Sequence, residues 1–206
     1  MAVTPLQAGL DVLDRAGRLL TLDPGTEQVS LLQYDIRRQS VAMAVAALDT
    51  WMHWSIRRVD LRHLSRILAN VDVPFGELVG SGNRSVEARR QGVDDRPLVR
   101  ARNTLNERIL GMTFQSARQW ETGFAMLGVA KGLARAAAAM TPPETRSAVE
   151  ERLNRLSHRR NKIVHEGDLM RMMRPQRIKR EVLSRGEVDD DVAWVRRFLI
   201  AVDAIS

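Results

Sequence analysis

The segment Arg159-Arg160-Asn161-Lys162-Ile163-Val164-His165-Glu166-Gly167-Asp168 brings a guanidinium, an amide and an imidazole into six consecutive positions. A guanidinium grips phosphoryl oxygens through two parallel N–H donors. An imidazole, with a reference pKa of about 6.5, moves a proton at neutral pH. On a helix, Arg160 and His165 are about 7.5 Å apart along the axis, so their side chains could reach one phosphate. Asn161 and His165, four residues apart, share a flank. Counted from Val149 at 100° per residue, Arg160 falls about 20° from the centre of an apolar stripe, where a charge is costly unless paired or used.

Arg-x-x-x-x-His by itself is weak. With 29 Arg and 4 His in 206 residues, about 0.6 matches arise by chance, and Arg58…His63 is such a match. Requiring Asn after the Arg lowers the expectation to about 0.02, and Arg58 fails that test. Two structural roles compete with the chemical one. His165 could be a cation placed favourably at a helix C-terminus. Arg160 could pair with a carboxylate on a neighbouring helix.

The elements that must carry these residues read as helices. Thr4-Pro5 is a cap followed by proline at the first helical position, opening an N-terminal helix within residues 1–26. A longer helix is predicted from about Glu27 to Arg58. Its centre, Val41 to Leu48, is apolar all round and is expected to be buried. A short helix is expected over Leu61–Val71. Residues 72–97 hold Pro74, Gly76, Gly80, Gly82, Gly92 and Pro97 with little period. They read as a loop insertion with at most one helical turn near Val86–Arg90. Helices resume at Leu98–Leu110 and from about Gln115, with a break expected near Gly128. Thr141-Pro142-Pro143-Glu144 reads as a helix start with Thr141 as cap and Glu144 completing a capping box. That helix runs to about His165 and stops at Gly167. A last helix spans about Glu187–Ile205, with Asp189, Asp190 and Asp191 in its first turn. Trp51, Trp54, Trp120 and Trp194 sit at helical spacing and read as core. No run alternates like a strand, so the expectation is one all-α helical bundle over residues 1–206 with a long buried central helix.

Composition narrows the chemistry. The absence of Cys removes disulfides, thiolate catalysis, Cys-ligated zinc and iron–sulfur clusters. No His-Glu-x-x-His, phosphate loop, dinucleotide turn or Gly-x-Ser-x-Gly elbow occurs, so no metal and no cofactor is expected. No apolar run approaches the roughly 20 residues a membrane span needs. The first residues lack a secretion-signal pattern, so a cytoplasmic location is expected.

The charge is uneven. Of the net +7, residues 155–185 carry 10 basic and 3 acidic groups, a surplus that equals that of the whole chain. Arg159, Lys162, Arg171, Arg174, Arg177, Lys179 and Arg180 lie there, an electrostatic footprint suited to a polyphosphate partner. A solvated basic face with no partner is the competing reading.

Residues 159–168 resemble the motif of the HEPN superfamily of α-helical ribonucleases, in which Arg, a polar residue and three further residues precede His. The wider chain is similar to the RiboL-PSP-HEPN branch. Ala46-Ala47-Leu48-Asp49-Thr50-Trp51-Met52-His53 resembles its Ala-rich helix ending in Asp-aromatic-x-His, shifted by one residue around the aromatic, and Phe114-Gln115-Ser116 matches a stretch that precedes a helix. The similarity covers roughly 30–206.

The resemblance implies metal-independent RNA cleavage. The 2′-OH attacks the adjacent phosphate and leaves a 2′,3′-cyclic phosphate and a 5′-OH. His165 would move a proton, Arg160 would stabilise the phosphorane, and Asn161 would orient one of them. DNA, lacking the 2′-OH, would bind uncut. Asp49, His53 and Glu166 would support the site, and the basic segment would track RNA backbone. For Asp49 and His53, a polar pair satisfying the core is the alternative. The resemblance further implies a homodimer whose two motifs share one cleft, a toxin or phage-defence role with an antitoxin or defence partner, and tRNA as the first substrate to test. Some such toxins carry a Tyr two residues after the His as an AMP acceptor. Gly167 stands there, so neutralisation by that route is not expected.

Two other readings stay open: a non-catalytic helical module binding RNA or protein, and a DNA-binding regulator. The second has no helix-turn-helix to support it.

Overall fold

A computed structural model describes residues 2–25, 30–60, 67, 69–71, 75–92, 97–170 and 177–206. The protein is all-α. Among the described residues the helices are α1 (Pro5–Leu20), α2 (Leu31–Arg57), α3 (Phe75–Arg90), α4 (Pro97–Leu110), α5 (Ala117–Leu127), α6 (Gly132–Ala139), α7 (Arg146–Glu166) and α8 (Arg185–Ile205).

Local chemistry starts most of them. Thr4, Ser30, Ser116 and Ser184 each cap a helix and accept the N–H of a Gln or Glu three residues on, whose side chain returns the bond. Stops are equally local. Gly128 ends α5 at φ 78° and Gly167 ends α7 at φ 61°, in the left-handed region that suits glycine.

α2 is the central element and packs against α1, α7 and α8. Val41, Ala44, Val45, Ala47, Leu48, Trp51, Met52 and Ile56 are buried. The centre of α2 is not enclosed all round, because Ala46 faces solvent and Ala42 and Met43 are half-buried. Neighbouring helices cover only part of its circumference. Trp51 stacks on Trp120 at 5.6 Å, and Trp120 meets Phe198 edge-on at 4.8 Å. Trp194 stacks on Phe198, whereas Trp54 is 37% exposed and is not a core residue.

Three sequence expectations are corrected. The insertion near 72–97 holds a 16-residue helix, α3, rather than a loop with one turn. Glycines weaken a helix by about 1 kcal/mol each without ending it, and no proline lies between Pro74 and Pro97. α7 starts at Arg146, capped by Thr145 through Ala148 N–H, and not at Pro142. Thr141-Pro142 is a cis peptide, and Glu144 accepts from Trp194 Nε1 at 3.1 Å and from Arg197 at 2.8 Å instead of closing a capping box. In α8 the first-turn acid is Glu187, while Asp191 is buried between Arg152 and Arg155. The short helix expected over Leu61–Val71 and the Glu27 start fall mostly outside the described residues.

Candidate functional site

α7 carries the candidate residues on its last turns. Val149, Leu153, Leu156 and Ser157 anchor it in the core. Beyond them the helix emerges, so that Arg160 is half-buried and Asn161 and His165 are exposed. Arg160 Nη1 donates to Asn161 Oδ1 at 3.1 Å. This bond draws the guanidinium toward the flank that Asn161 shares with His165.

The other cations of α7 are held. Arg146 pairs with Glu150 at 2.6 Å, and Arg152 and Arg155 both pair with Asp191 at 2.8 and 2.5 Å. Arg159 pairs with Asp168 at 3.1 Å and Lys162 with Glu181 at 2.6 Å. The Lys162 ammonium lowers the pKa of Glu181 below the usual carboxylate range. Among the described residues Arg160 has no carboxylate partner. The neighbouring-helix salt bridge considered for it is therefore not formed there. Arg159 and Lys162, predicted as RNA contacts, are ion-paired within the fold, because the chain turns back after Gly167 and delivers carboxylates to them.

Asp168 organises this turn. It follows Gly167 with φ 58°, is fully buried, and accepts from Arg38 Nε at 2.9 Å as well as from Arg159. The residues on either side of 171–176 pair with each other as a short antiparallel arm. Leu169 bridges to Arg180, Met170 N–H donates to Lys179 O, and Glu181 N–H donates to Asp168 O. Arginines from two helices receive the returning strand. Arg38 donates to Glu181 O, Arg159 to Val182 O and Arg37 to Leu183 O. Arg177, Lys179 and Arg180 are exposed on the arm with no ion pair among the described residues. Arg171 and Arg174 lie outside the described residues.

Asp49 and His53 do a structural job. The Asp49 carboxylate accepts from Phe114 N–H and Gln115 Nε2, and His53 Nε2 lies 3.1 Å from Met112 O, with its ring edge-on to Phe114. Together they fix the 112–116 segment, and Asn154 of α7 then accepts Ala117 N–H at 3.0 Å. Glu166 is half-buried on the last turn of α7.

Sequence reasoning left out Asp168 and Arg38 as site supports. Asp168 sits in the motif segment, but its partner is 130 residues away, and only a left-handed residue after a helix-ending glycine hinted at it. It also left out His158, exposed on α7. His158, Asn161 and His165 fall within about 60° of one another, a register legible from spacing alone.

Among the described residues no group of three His, Asp or Glu side chains converges as a metal site, and no helix is long and apolar enough to cross a membrane. No family model matches the chain, and no curated protein and no solved structure matches it.

Proposed function

We propose that this protein is a metal-independent RNA endonuclease of HEPN type, acting as a toxin or phage-defence effector. The observation that carries the reading is the selective freedom of Arg160. Five other cations of α7 are ion-paired, whereas among the described residues Arg160 has a hydrogen bond only to the amide of Asn161, beside an exposed His165. A guanidinium left without a carboxylate, next to a free imidazole, is a phosphate-handling pair. Arg160 stabilises the charge that builds on the phosphorane, and His165 moves a proton to or from the reacting oxygens. Asn161 orients the guanidinium. The exposed cations Arg177, Lys179 and Arg180 add affinity for the RNA backbone.

Both deprotonating the 2′-OH and protonating the 5′ oxygen require a titratable group. A two-fold homodimer sharing one cleft, as the HEPN resemblance implies, would supply a second His165.

The test is cleavage of total RNA, tRNA included, by purified protein in EDTA, with the cut ends mapped. Cyclic 2′,3′-phosphate and 5′-OH ends, lost in Arg160→Ala and His165→Ala, are expected. Cleavage by the His165→Ala protein overturns the assignment. Salt-sensitive binding without cutting, equal in wild type and variants, would instead mark a non-catalytic RNA-binding module.

A further inference from the structure

A second exposed imidazole, that of His158, stands on the same face of α7 as Asn161 and His165.

His158 and His165 are seven residues apart on one unbroken helix. Seven residues rotate through about 700°, so the two side chains leave α7 within about 20° of each other, separated by about 10.5 Å of rise. Asn161 lies between them, one turn from each. Arg160 leaves α7 about 160° from His158 and about 140° from His165, and its long side chain reaches round to donate from Nη1 to Asn161 Oδ1 at 3.1 Å. Both rings are exposed, and neither makes a hydrogen bond or ion pair with another described residue. Of the charged groups one turn from His158 on its own helix, Arg155 is held by Asp191 and Lys162 by Glu181. From the neighbouring elements, the N-terminus of α5 is occupied by Asn154, and Glu181 of the arm is occupied by Lys162.

We propose that His158 and His165 of the same chain are the two proton-transfer groups of the reaction, with Asn161 between them holding the Arg160 guanidinium toward their flank. This rests on the endonuclease reading above and replaces the second copy's imidazole as the source of the second proton group. In an in-line displacement the attacking 2′-oxygen and the departing 5′-oxygen lie on opposite sides of phosphorus. Two proton groups are then needed at opposite ends of one site. One neutral imidazole takes the 2′-OH proton as the 2′-O–P bond forms. The other, as imidazolium, gives its proton to the 5′-oxygen as the P–O5′ bond breaks. No water is consumed, and exchange with solvent returns each ring to its starting protonation state. Two imidazoles leaving one face about 10.5 Å apart along the axis can flank one phosphate with a hydrogen bond of about 2.8 Å on each side.

The experiment is a pH–rate profile of EDTA-treated wild type, His158→Gln, His158→Ala and His165→Ala on one synthetic RNA. A bell-shaped wild-type profile is expected. His158→Gln and His158→Ala should lose at least about 100-fold in kcat with KM within about twofold, and should lose one limb of the bell. Mixing His158→Ala with His165→Ala chains should restore nothing, since neither chain then holds a complete pair. Wild-type rates and an intact bell in both His158 variants, with His165→Ala inactive, overturn the in-chain pair and leave the endonuclease reading standing. A wild-type protein that does not cut RNA overturns both. Because His158 is exposed, its variants are expected to keep the wild-type circular dichroism and melting curve, which is measured alongside.

Discussion

Arg38 donates its Nε–H to Asp168 at 2.9 Å across 130 residues of chain, and the carboxylate that receives it is fully buried. This one pair joins the first turns of α2 to Asp168, just past the glycine that ends the motif helix. Through Arg159 and the Glu181 carbonyl it also sets where the basic arm leaves the bundle. A buried charge without its partner is expensive, so the arrangement is sensitive to loss of either side.

Asp168→Ala removes the one buried carboxylate that pairs with Arg38 among the described residues; the other partner, Asp35, lies at the surface. The expected cost is about 3–5 kcal/mol, read as a shift in the urea midpoint at unchanged m-value. A loss under about 1 kcal/mol would mean that Arg38 finds water instead. Replacing both Arg38 and Asp168 by apolar residues should recover part of the loss.

Strong acid should weaken the Asp23 cluster. Asp23 is buried, and its pKa is lowered, chiefly by the hydrogen bond from Arg37 and further by Gly25 N–H, against an opposing effect of burial. Its folded value therefore lies below the ordinary 3.8. A depressed folded pKa contributes stability that is complete above the unfolded value and is lost as pH falls through the folded one. Between pH 7 and pH 5 the Asp23 contribution should stay constant, and it should drop below about pH 4. In Asp23→Asn that part of the acid-induced loss should be smaller, which chemical denaturation at pH 7, 4 and 2.5 measures. An identical acid profile in the variant contradicts the role of this carboxylate.

Arg160→Ala and His165→Ala should each reduce RNA cleavage by at least about 100-fold. Both residues lie outside the core, so melting temperatures should stay within a few degrees of wild type. A substrate with 2′-deoxyribose at the scissile position should bind without being cut. Its cleavage would show that the attacking group is not the substrate's own hydroxyl.

Replacing Arg177, Lys179 and Arg180 by Gln should weaken RNA binding and flatten its salt dependence. Each phosphate contact on a single strand contributes about 0.7 to the slope of log K against log[salt], so loss of three should reduce it by up to about 2. Fluorescence anisotropy over a salt series reads this directly. The same change at Arg159 and Lys162 should lower stability instead, because Asp168 and Glu181 hold them. An unchanged slope in the arm variant removes the arm from the RNA path.

The order of residues alone determined that the chain is helical, where α5 breaks at Gly128 and α7 stops at Gly167, and that Arg160, Asn161 and His165 share the last turns of one helix. Those features depend on caps, glycines and a 3.6-residue period, which act over a few positions. Some local signals misled. Glycines in 75–90 suggested a loop where a helix forms, and Thr141-Pro142 imitated a cap that Thr145 provides. Only the tertiary structure decided which cations are free. Arg159, Arg160 and Lys162 are adjacent and chemically alike. Carboxylates reach two of them solely because the chain folds back after Gly167, and α2 supplies Arg38 to bury Asp168 beside them. Charge pairing acts through space, with no period along the chain to announce it, so the difference between a structural arginine and an available one is settled by folding.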